Sequence, residues 1–390
     1  MQKIRDIGHD AFKRLTCWEF VLVFTLMSVL IIPSMSVANA PPKKDTKIPI
    51  VNLNSKMSLI HVGSNDSFNP TSEGTQAARL LLDALQKKDL KKANKAITLY
   101  DSIIPRENYG GEYTALQWFS RYLVSSQNEK HTFISEPFVA NFFHFFADND
   151  FATLKEYLKR KYNLEKVKDK ETRSGQERLA VLEDTILFDN PQREQWEHSS
   201  KFLNALKLKK GAVIADIGAG PGYFTYRFSH LVGDQGRVFA IDTVQDHLDY
   251  IDHFKKKSGI QNITTIHTDG KTIGLAGKKV DAAFLCSLYH NIYAMATLKS
   301  REQFIQSIKD TLKADGLLYL IDNGLVKPGT LPYHGPYIAK ELIIAQLNQY
   351  GFDLVEQFQP IAQRYMLVFR LKKENTTACA KTLSSKESGK

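Results

Sequence analysis

The chain has 390 residues, enough for two domains and extensions at roughly 150 residues per domain. With 43% hydrophobic and 24% charged residues it has the balance of a globular protein, which excludes a low-complexity chain without a core. Its net charge of +10 comes from scattered runs such as Lys87-Lys88, Lys91-Lys92 and Lys255-Lys256-Lys257, the pattern of solvated helix faces, and does not favour nucleic acid as a partner.

The first forty residues have the form of an export signal. Lys3, Arg5, Lys13 and Arg14 precede an apolar run over 20–32, and Pro33 leads to Ala38-Asn39-Ala40. A basic segment, an apolar segment and an A-x-A site predict a signal peptide over 1–40, cleaved after Ala40, and hence a periplasmic or secreted protein. The alternative is an uncleaved anchor over 20–37, although Pro33 and Ser34 break the run short of a comfortable span. Residues 41–70, rich in Pro, Lys, Asn and Ser, read as a linker.

A helical period begins at Thr71. Leu81, Ala84 and Leu85 mark one helix face, and Ala93, Ala96, Ile97, Tyr100, Ile103 and Ile104 mark the next, with Pro105 as the expected stop. Aromatic-rich helices follow over 113–124 and 137–146, then helices over 151–162 and 176–188. Phe142, Phe143, Phe145 and Phe146 read as a helical core, with a substrate cleft as the alternative. No catalytic motif appears in this all-α domain, 71–190, which could also receive a protein partner.

From about 191 the pattern alternates strand and helix. Residues 212–217 form an apolar run ending in an acid. Gly218-Ala219-Gly220-Pro221-Gly222 follows, then a helix marked by Phe224, Phe228 and Leu231. Such glycines let a ligand lie against the backbone, and the helix N-terminus beyond them suits a carboxylate. Residues 238–242 are a second buried strand ending at Asp242, placed to accept hydrogen bonds from ribose hydroxyls. Strands over 263–267, 280–285 and 317–321 follow, and lead to Asp269-Gly270, Tyr289-His290 and Asp322. A helix over 336–351 and strands over 352–358 and 365–371 complete the pattern, with a polar, disordered tail over 373–390. The alternation predicts an α/β, doubly wound, mostly parallel sheet, with ligands beyond the carboxyl ends of its strands.

Asp216-Ile217-Gly218-Ala219-Gly220-Pro221-Gly222 resembles the first motif of class I S-adenosylmethionine-dependent methyltransferases. The resemblance covers about 191–372 and implies their Rossmann-like seven-stranded sheet with one antiparallel strand. Phe188-Asp189-Asn190-Pro191-Gln192-Arg193-Glu194-Gln195-Trp196 and Tyr289-His290-Asn291-Ile292 look like the small-molecule branch of quinone-biosynthesis and arsenite types. That branch often has a second histidine where this chain has Asn291, and the cysteines of arsenite enzymes are missing. The resemblance implies S-adenosylmethionine as cofactor, with Gly218, Ala219, Gly220 and Gly222 lining its methionine end. Asp216 would meet the amino group, Asp242 the ribose and Asp269 the adenine, with Gly270 beside it. It also implies a small-molecule methyl acceptor. Tyr289 and His290 stand at the correct strand end to orient or deprotonate that acceptor; packing or cofactor contact is the alternative. No metal site is implied. The competing reading is a binding protein whose methyltransferase-like domain is inactive.

Overall fold

The computed structural model describes residues 60–61, 70–293, 297–326 and 336–373. The expected signal peptide, most of the expected linker and the tail from 374 lie outside the described residues. Among the described residues no helix is long and apolar enough to cross a membrane.

The N-terminal half is a stack of helices. They are α1 (Ser72–Lys87), α2 (Leu90–Glu107), α3 (Glu112–Val124), α4 (Gln127–Phe133), α5 (Pro137–Ala147), α6 (Ala152–Lys161) and α7 (Arg173–Phe188). Their starts are chemically marked. Thr71, Asp89, Ser126 and Thr172 each accept a first-turn N–H through the side chain. One core unites all of them but α4, with Leu81, Tyr100, Leu116, Phe119, Phe142 and Leu154 fully buried. Phe142, Phe143 and Phe146 belong to that core, so the aromatic cluster is packing.

Pro105 does not stop α2 as expected; it lies inside the last turn. So near the helix end it interrupts little of the ladder, and the Asp101 carboxylate ties the preceding turn to α3 through Gln117 and Arg121.

Two short helices, α8 (Arg193–Glu197) and α9 (Ser199–Ala205), lead into the sheet. Its members are β2 (Val213–Ile217), β3 (Arg237–Asp242), β4 (Ile263–His267), β5 (Val280–Cys286), β6 (Leu312–Asn323), β8 (Phe352–Ile361) and β9 (Arg364–Leu371). Helices α10 (Tyr223–Val232), α11 (Gln245–Lys257), α12 (Tyr289–Tyr293), α13 (Leu298–Thr311) and α14 (Lys340–Gln349) connect them. The order is β4-β3-β2-β5-β6-β9-β8, parallel from β4 to β6, with β9 antiparallel to both neighbours. Apolar cores cover both faces, which is why β2, β3 and β5 read as unbroken apolar runs. The winding reverses between β2 and β5, opening a crevice at their carboxyl ends.

The segment expected as one helix over 336–351 divides. Its start is a two-residue strand, β7 (Tyr337–Ile338), paired with β1 (Ile60–His61) from the segment read as linker. The Tyr365 hydroxyl donates to Ile338 O (3.0 Å) and the Asn323 amide to Pro336 O (2.6 Å), holding the backbone away from a helical turn.

The two halves share apolar contacts. Phe145 of α5 meets Tyr250 edge-on at 4.5 Å, and Phe138 stacks with Tyr226 at 6.3 Å.

Candidate active site

The loop between β2 and α10 is pinned to β3. Gly218 and Ala219 both donate their N–H groups to Ile241 O, at 2.8 and 3.0 Å. Gly220 donates its N–H to Asp242 Oδ2 at 2.7 Å. Gly220 has φ +54°, and a β-carbon built there would meet nothing within 4 Å, so the loop presents bare backbone to open space. Gly222 is needed for the opposite reason. At φ +100° a side chain would collide with Tyr226 and Ile251, so glycine lets α10 and α11 close up.

Asp216 and Asp242 flank this loop. Asp216 is buried and accepts a hydrogen bond from the Thr225 hydroxyl at 2.6 Å. Burial pushes its carboxyl up to about 7; the Thr225 bond opposes the rise, and repulsion from Asp242 adds to it. Asp242 is also buried, yet its carboxyl lies below the usual range. Burial works against ionisation there, and the His247 imidazolium together with the Val244 and Gly220 N–H groups outweighs it. A carboxylate held ionised beside open backbone is an acceptor in waiting for hydroxyl or ammonium donors.

The turn at 269–270 joins the same rim. A β-carbon on Gly270 would lie 3.4 Å from Thr243, and Thr268 N–H donates to Asp242 O. Asp269 is exposed, accepts from the Lys271 amide and pairs with its ammonium at 2.7 Å. The structure therefore brings together Asp216, Gly218, Ala219, Gly220, Gly222, Asp242 and the 269–270 turn at neighbouring strand ends.

Tyr289 and His290 part company. The Tyr289 ring is in the core beneath the sheet, its hydroxyl donates to Gln346 at 2.7 Å, and burial raises the phenol far above its ordinary range. A phenol so committed packs; it does not deprotonate an acceptor. His290 is held at two points by the buried Asp322. Its backbone N–H donates to Oδ2 (3.0 Å), and Nδ1 lies 2.8 Å from Oδ1. Burial opposes ionisation of Asp322, but His290, the Asn323 N–H and Arg364 hold its carboxyl below the usual range. Facing a carboxylate, Nδ1 is the donor, which turns Nε2 to the opposite side of the ring from Asp322.

Sequence reasoning missed a buried ionic plate beneath the switch point. Glu197 accepts hydrogen bonds from Arg193 and pairs with Arg364 at 2.9 Å, and Arg364 donates to Asn323 Oδ1 at 2.5 Å. The Arg193 guanidinium lies over the Tyr223 ring at 4.5 Å. The plate ties α8, α10, β6 and β9 together. Arg193 and Glu197, four apart, were a visible helical pair; Arg364 carried no signal. Among the described residues no group of three potential ligands could hold a metal ion.

The topology and glycine turn define a class I methyltransferase fold. Residues 214–316 match the family model described as "Methyltransferase domain". The C-terminal half is thus similar to class I methyltransferase domains in its sheet order, its glycine turn and this match. Human arsenite methyltransferase (Homo sapiens) is 31% identical over 119 residues, 28% of this chain and 30% of that protein. A protein-L-isoaspartate O-methyltransferase of Methanococcoides burtonii is 31% identical over 65 residues, 17% of this chain and 32% of that protein. The chain thus spans about a third of the length of these relatives. Among solved structures, a SAM-dependent methyltransferase from Aquifex aeolicus covers 47% of this chain and 95% of its own at 21% identity, TM-score 0.41.

Proposed function

We propose that this protein transfers a methyl group from S-adenosylmethionine to a small-molecule acceptor, as an exported enzyme. The observation that carries the reading is the Gly220–Asp242 contact: bare backbone and an ionised carboxylate, side by side, at the mouth of the crevice. In this reading Gly218, Ala219, Gly220 and Gly222 line the methionine arm, and Asp216 receives its ammonium group. Asp242 accepts from the ribose, and Asp269 and Gly270 border the adenine. The bound cofactor supplies a methyl group already activated on sulfonium sulfur, so the protein's task is alignment of the acceptor for in-line displacement. His290, oriented by Asp322, takes up a proton through Nε2 when the acceptor must lose one.

The sequence after β5 has no Asn/Asp-Pro-Pro-Tyr motif, which supports a small acceptor over a nucleic-acid base. Export rests on the basic segment, apolar run and Ala38-Asn39-Ala40 site. It requires cofactor outside the cytosol where that molecule is made.

The test is transfer of label from methyl-labelled S-adenosylmethionine into small-molecule extracts, with Asp242→Asn as control. Labelled product from the native chain and not the variant is expected; label confined to nucleic acid or protein, or none, contradicts the reading. N-terminal sequencing after cell fractionation tests export, with a mature start at Pro41 expected and an intact N-terminus in the cytosol contradicting it.

A further inference from the structure

The ribose carboxylate assigned above does not stand alone. His247, on the first turn of α11, is buried between two acids. Its Nδ1 is 3.6 Å from Asp242 Oδ1, and its Nε2 is 3.3 Å from Asp184 Oδ2. Asp242 belongs to the end of β3, whereas Asp184 belongs to α7, in the helical half. Both ring nitrogens are within ion-pairing distance of a carboxylate, and neither is aligned as a hydrogen bond.

We propose that Asp184, through the His247 imidazolium, is a positioning residue for the cofactor site, so that the helical half completes that site electrostatically. The inference rests on Asp242 being the ribose carboxylate, and adds the helical half's part in it.

The charge sequence gives the reason. Asp242 is buried, and burial by itself raises its carboxyl toward the protonated form. A protonated carboxyl is a weaker acceptor for two hydroxyl groups than a carboxylate. His247 supplies the opposing cation. Burial would discharge His247 in turn, but Asp184 and Asp242 together push it up to about 10. Asp184, itself raised by burial, is thus the second carboxylate that keeps the imidazole charged. The other charges nearby are peripheral: Asp242 raises the Asp216 carboxyl, and Arg178 of α7 lies 4.0 Å from Asp246 on α11. The imidazolium stands between the two acids, and Asp242, whose carboxyl lies below its ordinary range, is the one facing the loop.

The order of events with pH follows. With Asp184 neutralised by substitution, His247 loses one of its two carboxylates and its imidazole deprotonates at lower pH. Once neutral, the ring no longer attracts the Asp242 carboxylate, which stays ionised at that pH but is no longer held in place beside the loop, and cofactor affinity falls. In the native chain the same loss is deferred to about pH 10.

Calorimetric titration with S-adenosylhomocysteine between pH 7 and pH 10 reads this directly, on the full chain and on Asp184→Asn, Asp184→Glu and Asp242→Asn. Asp184→Asn is expected to weaken binding about tenfold at the alkaline end, with the loss beginning at lower pH than in the native chain. Asp184→Glu, which restores the charge, should recover most of the affinity. A histidine-selective NMR titration of the ligand-free chains should show the His247 transition moved down in Asp184→Asn. Native binding with a weakened Asp242→Asn but an unchanged Asp184→Asn at every pH overturns the proposal and leaves the cofactor assignment standing. No binding by the native chain overturns both.

Discussion

Asp216 is the residue whose protonation the site can be made to report. Its carboxyl sits near 7 without ligand, raised first by burial and further by Asp242. Such an acid holds in the fold a proton that the unfolded chain has released. Its contribution to stability is therefore present at low pH and lost as pH rises from about 4 toward 7. A bound ammonium group reverses the preference, because it favours the charged carboxylate. Cofactor affinity should then rise between about pH 6 and pH 8, with a proton released on binding below pH 7. Calorimetry in buffers of differing ionisation enthalpy measures that proton; a flat affinity with no proton exchange contradicts it. Gly220 gives a steric counterpart. Gly220→Val places a branched side chain at φ +54° and in open space, so stability should fall by about 1–2 kcal/mol while cofactor binding drops at least tenfold. Equal binding by variant and native chain would show that nothing lies against the loop. Asp216, Gly220 and Asp242 were legible in the sequence because strand, turn and acid are neighbours along the chain. His247 and Asp184 were not, since each looks like an ordinary helix residue until α7 is laid against α11.

The ends of β2, β3 and β5 were readable from apolar runs stopping at Ile217, Asp242 and Cys286, because buried parallel strands leave little polar alternation to confuse them. The helix over 336–351 was misread at its start because the bonds holding 336–338 extended come from Asn323 and Tyr365, on other strands. Pro105 was overvalued for a related reason: a proline is disruptive in a helix interior and tolerable in a last turn tied down by neighbours. The Arg193–Glu197–Arg364 plate is a buried network whose removal is asymmetric. Glu197→Gln leaves two guanidinium groups facing each other without their shared carboxylate, and should destabilise the fold by about 3–5 kcal/mol. Urea unfolding of native and variant chains measures the change; a loss below about 1 kcal/mol would place the plate among weak, solvated pairs.

Over the whole chain, the helical half packs directly against the sheet half. Phe145 packs on Tyr250, Phe138 on Tyr226, and Lys257 pairs with Asp148 across the same seam. A chain beginning at 191 would expose these aromatic faces and lose Asp184. It should unfold at a lower temperature than the full chain and bind apolar dyes, whereas the full chain unfolds in one transition. Two transitions, one matching the shortened chain, would contradict this joint packing. The sequence showed two kinds of periodicity and where one gives way to the other. It could not show the seam, which depends on aromatic faces far apart in the chain meeting only after both halves have formed.

The central claim is that the glycine turn, Asp216 and Asp242 form a pocket for an adenosine with an amino-acid arm. Calorimetric titration of the full-length chain with S-adenosylhomocysteine at pH 8 tests it most directly. Saturable one-to-one binding is expected, weakened at least tenfold by Asp242→Asn. Absence of heat at millimolar ligand, or equal binding by native and variant chains, would contradict it.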